Sequence, residues 1–169
     1  MNILIEGSDA TFKTTVADKL SKRLNRKVIK GSSFEMSECS NKELFEKFQE
    51  IHSHKNVIID RSVFSNYVYA TIYGKTVLTD AQRSVIENQF RTNTMTIYLH
   101  ASAKDIQNRI EIRGDDDIKG DMIPSILFLY GIILDEAQAN EVPIMKFNTS
   151  NLSSDTVVNT IVNFLHKNS

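Results

Sequence analysis

The sequence predicts a three-layer α/β domain, in which a five-stranded parallel sheet is flanked by helices on both faces. Short β-branched runs alternate along the chain with longer segments of helical period, the pattern of parallel strands joined by crossover helices. The first of these runs stops at a glycine turn that opens directly into a helix, as at a ligand-binding edge of such a sheet. The 169 residues match one ordinary domain able to bury a core without disulfide or metal staples, so residues 1–169 are expected to form a single domain.

Residues 3–6, 27–30, 57–60, 95–99 and 142–147 supply the five strands, each dominated by β-branched or aromatic side chains. After the first strand, Val16, Ala17, Leu20 and Leu24 fall on one helical face, with Asp18, Lys19, Lys22 and Arg23 on the other. Leu44, Phe45, Phe48 and Ile51 repeat that period before the third strand, and Val157, Val158, Ile161, Val162 and Leu165 repeat it at the end of the chain. Thr79 with Gln82 has capping-box spacing ahead of Val85, Ile86 and Phe90. Ser102 with Asp105 marks a second helix start ahead of Ile106 and Ile110. Asp115, Asp116 and Asp117, between Gly114 and Gly120, read as a loop.

Composition excludes several function classes. The 20 basic and 21 acidic residues are interspersed and give a net charge of −1, which argues against a nucleic-acid polymer as partner. Cys39 is the single cysteine and has no Cys/His cluster beside it, so a reducing, cytoplasmic setting is expected. The apolar start at 3–5 is too short for a signal segment, and no apolar run approaches the ~18 residues of a membrane span.

The chemistry-bearing segment is Gly7-Ser8-Asp9-Ala10-Thr11-Phe12-Lys13-Thr14-Thr15. It matches the phosphate-binding pattern G-x-x-x-x-G-K-[ST] at Gly7, Lys13 and Thr14, with Phe12 where the second glycine belongs. A strand, a glycine turn and a helix N-terminus aim backbone N–H groups and the positive end of the helix dipole at one spot. In a nucleotide site Lys13 would bridge the β- and γ-phosphates and the Thr14 hydroxyl would hold Mg²⁺. Phe12 in place of glycine predicts a strained or altered grip, since a left-handed backbone costs a bulky residue ~1–3 kcal/mol. At the end of the third strand Asp60 and Arg61 emerge together, one suited to a metal or an attacking oxygen and the other to a phosphate. Arg109 and Arg113 lie four residues apart on one helix face.

These segments carry a resemblance. EGSDATFKTT at 6–15 resembles the EGxDGxGKTT loop of thymidylate kinases. DRSVFSNYVYA at 60–70 is similar to their DRYxxSxxAY segment and to the (D/E)RS segment of deoxynucleoside kinases. The resemblance implies a P-loop kinase fold with a short lid at about 114–121, ATP as phosphoryl donor and Mg²⁺ as cofactor. It also implies roles. Gly7 through Thr15 would hold the donor, with Asn148 in the loop that passes its adenine. Asp9 would lie near the acceptor sugar, Arg61 on the acceptor phosphate, and Ser65 and Tyr69 along the acceptor pocket, while Arg109 and Arg113 would bring charge to the moving phosphoryl. Glu35 falls in the place of the family's acidic acceptor loop.

The expected activity is ATP-dependent phosphorylation of a deoxynucleoside monophosphate, with a dTMP-like acceptor favoured. The alternative is a deoxynucleoside kinase in which Glu35 or Asp60 activates a 5′-hydroxyl. A third reading, of another class, is a non-catalytic nucleotide-binding regulatory protein, which Phe12 motivates. Four features depart from the family: Phe12 itself, Ser62 in place of a tyrosine, a short chain with a compressed lid, and residues 41–55 without an arginine. Expected partners are small nucleotides or nucleosides, with no membrane, and a homodimer is compatible with the resemblance.

Overall fold

Five parallel strands, β1 (Asn2–Glu6), β2 (Val28–Lys30), β3 (Ile58–Asp60), β4 (Thr94–His100) and β5 (Ile144–Asn148), form one sheet in the order β2-β3-β1-β4-β5. The computed structural model describes residues 1–32, 36, 38–114 and 120–167. The expectations for Glu35 and for the centre of the 114–121 lid therefore lie outside the described residues.

Each predicted strand is present, with no end moved by more than two residues. β1 pairs with β3 through Ile3↔Ile58 to Ile5↔Asp60, and with β4 through Asn2↔Thr94 to Glu6↔Tyr98. The loops leaving β1 and β3 consequently emerge side by side at the carboxyl edge, where ligands bind in open α/β sheets.

Among the described residues seven α-helices cover the sheet: α1 (Lys13–Leu24), α2 (Asn41–Ser53), α3 (Val63–Tyr73), α4 (Asp80–Asn93), α5 (Ala103–Arg113), α6 (Ile123–Ala139) and α7 (Ser154–Lys167). The alternation of side chains in β1 sorts them into layers. Ile3 and Ile5 join Val16, Ala17 and Leu20 of α1 and the Val157/Ile161/Leu165 stripe of α7. Leu4, one residue out of phase, joins Leu44 and Phe48 of α2, Phe64 and Val68 of α3, Ile86 and Phe90 of α4, and Tyr130 and Ile133 of α6. Burying each large aliphatic side chain contributes about 1.5–3 kcal/mol, so these stripes hold both helical layers to the sheet. Phe48 is fully buried here.

The predicted capping box at Thr79 and Gln82 is complete, and Ser102 accepts from the Asp105 N–H at the start of α5. Two features exceed the sequence expectations. Ser40 and Glu43 form a second complete capping box on α2, and α6 is a long apolar helix. With the 3₁₀ turn before it, Gly120–Ala139 spans 20 residues and has the length and composition of a membrane crossing, which corrects the expectation that no segment approaches that length. In this fold one face of it packs into the core, with Ile126, Tyr130, Ile133, Leu134 and Ala137 buried, while Phe128 and Ile132 on the other face are exposed. Arg83 of α4 secures its far end through Glu136, with Nη2 2.7 Å from Oε1.

Candidate active site at the carboxyl edge of the sheet

The loop from Gly7 to Phe12 connects β1 to α1 by a path that demands unusual backbone. Gly7 has φ 146°, and a Cβ there would sit 2.1 Å from the Leu99 carbonyl oxygen of β4. Ala10 and Phe12 are left-handed, with φ 57° and 68°. The strain expected of a bulky residue at the glycine position is therefore present. Phe12 is the N-cap of α1 but offers no side-chain acceptor to the first turn. The first N–H groups of α1, which have no intrahelical partner, face the loop uncapped by any side chain.

Inside the loop the Thr11 hydroxyl donates to the Ser8 carbonyl at 2.8 Å, and the Lys13 ammonium also donates to Ser8 O. Lys13 is buried. Desolvation and the nearby Arg61 charge push its pKa down from 10.5 to about 7, against the opposing pull of Asp9, Asp60 and Glu6.

The neighbouring turn after β3 is equally constrained. Arg61 is left-handed at φ 64°, its N–H donates to the Ile5 carbonyl at 2.9 Å, and its own carbonyl lies where a Cβ on Gly31 would come within 2.1 Å. Its guanidinium is ion-paired with Asp9 Oδ1 and lies 5.2 Å from the centre of the Tyr69 ring. The Tyr69 hydroxyl donates to Asp9 Oδ2 at 2.8 Å. Burial pushes the Asp9 carboxyl upward, but Arg61, Lys13 and the Tyr69 hydroxyl together hold it below the ordinary carboxylate value.

Between these two turns lies a solvent-open cleft of about 100 Å³, lined by residues 9–15 together with Asp60, Arg61 and Arg113. Asp60 Oδ1 is buried there without a hydrogen-bond partner. Buried polar atoms are normally satisfied, so an orphaned carboxylate oxygen on a residue lining the same cleft as the exposed Thr14 fits the oxygen-ligand chemistry of Mg²⁺. That ion is usually held by one or two carboxylates plus substrate phosphates. The described residues include no group of three His, Cys, Asp or Glu that could hold a metal ion.

The structure brings most, but not all, of the expected site residues to the cleft. Arg113 reaches its mouth, whereas Arg109, one turn earlier on α5, lies apart and binds the loop: Nη1 to Ala10 O at 3.0 Å and Nη2 to Thr149 O at 2.7 Å. Ser65 is buried against Glu6 and is not at the cleft wall. Asn148 ends β5 and accepts from the Ser150 N–H through Oδ1.

Three residues that sequence reasoning did not single out support the site from below. Glu6 is fully buried and accepts from the Ser62 N–H at 2.8 Å and from the Ser65 hydroxyl. Tyr130 of α6 donates to the Gly7 carbonyl at 3.1 Å and is 2.7 Å from Ser65 Oγ. His52 of α2 holds Ser62 Oγ at 2.6 Å, and burial pushes its pKa down to about 3, so it is neutral. The available signal was Glu6 itself, the only charge in the first β-run. Tyr130 and His52 carried none, because long-range contacts place them.

Burial raises Glu6 from 4.5 to about 7, opposed by the Ser65 and Ser62 hydrogen bonds. An unfolded Glu6 ionises near 4.5 and the folded one near 7, so its contribution favours the fold most below 4.5. That contribution falls as pH rises towards 7, by about 3 kcal/mol in all, and then levels off. Glu6→Gln should remove this slope. Urea unfolding of both proteins at about pH 5 and pH 8 should show the variant gaining on the wild type at the higher pH. An equal difference at both pH values would show that Glu6 does not titrate in this window.

No protein-family model matches the sequence. The SPbeta prophage-derived uncharacterized protein YorR of Bacillus subtilis (strain 168) is 41% identical over 161 residues, covering 95% of this chain and 96% of YorR. The chain belongs to the YorR family. A crystal structure of YorR in complex with phosphorylated GDP superposes with a TM-score of 0.89 at 40% identity, covering 98% of this chain and 96% of YorR. More distant solved structures share the fold. Deoxyadenosine kinase from M. mycoides matches with a TM-score of 0.63 at 19% identity, over 99% of this chain and all of that one. Thymidylate kinase from Candida albicans matches with a TM-score of 0.64 at 20% identity, over 99% of this chain and 91% of that one. The YorR family therefore has the P-loop kinase fold, with its five-stranded parallel sheet.

Proposed function

We propose that this YorR-family chain is a nucleotide kinase that transfers the γ-phosphoryl of ATP to a deoxynucleoside monophosphate, with dTMP the first acceptor to test. The observation that carries the reading is the convergence of Lys13, Thr14, Asp60, Arg61 and Arg113 on one cleft, with an orphaned carboxylate oxygen on Asp60. The phosphorylated GDP bound to YorR supports a purine nucleotide as occupant, so GTP belongs beside ATP among the donors tested.

In this reading the uncapped start of α1 and the Lys13 ammonium hold the donor phosphates, and Arg113 reaches from α5 towards the oxygens of the transferring group. Thr14 and Asp60 would hold Mg²⁺, which neutralises charge on the phosphate oxygens and so lowers the barrier to displacement. Arg61 would hold the acceptor phosphate, and Asp9 with Tyr69 would fix the Arg61 fork. Most of the catalysis is then positioning and electrostatic stabilisation by groups already in place.

A second reading has its own observation. Arg61 already answers the Asp9 carboxylate, and Asp60-Arg61-Ser62 is similar to the (D/E)RS of deoxynucleoside kinases, so an uncharged nucleoside acceptor fits the same cleft. Thermal unfolding against deoxynucleosides and their monophosphates separates the two readings. An acceptor at ~100 times its dissociation constant stabilises the fold by roughly 2.7 kcal/mol. Monophosphates are expected to raise the Tm. Stabilisation by nucleosides alone would reassign Arg61 and favour the second reading.

A further inference from the structure

One guanidinium touches both strained residues of the phosphate loop. Ala10 and Phe12 are the loop's two left-handed non-glycine residues. Arg109 donates to the Ala10 carbonyl at 3.0 Å and stacks on the Phe12 ring, with its guanidinium carbon 4.3 Å from the ring centre. The same fork donates to Thr149 O at 2.7 Å and Thr149 Oγ1 at 3.2 Å. Thr149 is in turn fixed to the end of β4, its N–H and hydroxyl donating to the His100 carbonyl at 2.7 and 3.0 Å. A rigid path therefore runs from the sheet through Thr149 and Arg109 to the loop. A left-handed backbone persists in a bulky residue only where its surroundings over-determine it, and this clasp supplies that determination.

Resting on the kinase reading above, we propose that Arg109 is a positioning residue matched to Phe12. It holds the phosphate loop in the posture that a glycine would otherwise reach by its own freedom, and so sets the grip on the donor nucleotide. Arg109 lines none of the cleft, while Arg113, one turn on, does. The two arginines thus divide the labour, one shaping the loop and one facing the substrate. Lysine cannot replace Arg109, because the clasp needs a planar group that stacks and donates in several directions at once.

The test is a double-mutant cycle on Phe12→Gly and Arg109→Ala, with Arg109→Lys alongside, read on donor affinity, on kcat and KM, and on the Tm of the ligand-free protein. With Phe12 present, Arg109→Ala is expected to weaken donor binding about tenfold and raise KM, with kcat changed less than about threefold. Arg109→Lys should not rescue it. In the Phe12→Gly background the same substitution should cost less than about twofold, and the Tm loss should shrink in parallel.

Equal losses in both backgrounds would overturn the proposal, as would a fall in kcat that does not depend on residue 12, which would put Arg109 on the phosphoryl itself. Should Arg109→Ala fail to fold, Phe12→Leu against Arg109→Lys gives the same cycle with milder changes. If the wild type binds neither ATP nor GTP, the kinase reading fails, and the Tm cycle still decides the coupling of Phe12 to Arg109.

Discussion

Lys13→Ala is expected to lower turnover by about 10²–10³-fold, the loss typical of removing one preorganised donor to transition-state charge, with the protein still folded. The ammonium is buried, donates to the Ser8 carbonyl and lies near Arg61, whose like charge joins desolvation in depressing its pKa. Removing it relieves a buried cation as well as deleting contacts, so the Tm should move only a few degrees. A pH signature accompanies the loss. In the ligand-free protein burial and Arg61 push the Lys13 pKa down to about 7, and phosphate oxygens would favour its charged form, so nucleotide binding should take up a proton. Donor KM should therefore rise as pH increases above 7, by up to about tenfold per unit, and this dependence should vanish in Lys13→Ala. Steady-state kinetics from mildly acidic to mildly basic pH check both parts. Full turnover in the variant would remove Lys13 from the mechanism.

Gly7→Ala should destabilise the fold by about 2–5 kcal/mol, combining backbone strain with overpacking, and abolish nucleotide binding with it. At φ 146° an L-residue is strained, and its Cβ would lie 2.1 Å from the Leu99 carbonyl oxygen. That oxygen cannot yield cheaply, because Leu99 is held between β1 and β5 in register with Phe147. Gly114→Ala is the control. It is also left-handed at φ 71°, but a Cβ there meets nothing within 4 Å, so only about 1 kcal/mol of backbone cost is expected. Urea unfolding of the two variants should separate by at least twofold in ΔΔG, and similar small losses would show that the β4 contact is not limiting.

Much of the architecture was legible in the sequence because it is written in local period. The β-branched runs became β1 to β5, and the stripes at Val16/Leu20, Leu44/Phe48 and Val157/Ile161/Leu165 became buried helix faces. Helix α6 was not legible, since a segment apolar on nearly every side has no face to read. At the site, the glycine, the Lys-Thr pair and the Asp-Arg pair announced themselves by type and spacing. The roles of Arg109 and Arg113 did not separate, because helical spacing places both on one face and only the third dimension shows one bound to Ala10 and Thr149 and the other at the cleft. The support of Glu6 by Ser62, Ser65 and Tyr130 was likewise invisible, as it joins residues up to 124 positions apart.

The substitution at Phe12 takes a definite physical form. The residue adopts the glycine-like conformation and is clasped by Arg109 instead of forcing the loop into another path. The loop geometry is thereby compatible with phosphate binding, and its strain is met by a contact that a glycine would not need.

Lys13, Thr14, Asp60, Arg61 and Arg113 are proposed to form a working phosphotransfer site. Its most direct measurement follows label from γ-phosphoryl-labelled ATP or GTP, with Mg²⁺, into each common deoxynucleoside and deoxynucleoside monophosphate. Acceptor-dependent transfer by the wild type, lost in Lys13→Ala, is the predicted result. Nucleotide binding without label reaching any acceptor would contradict the claim and make the chain a non-catalytic nucleotide-binding protein.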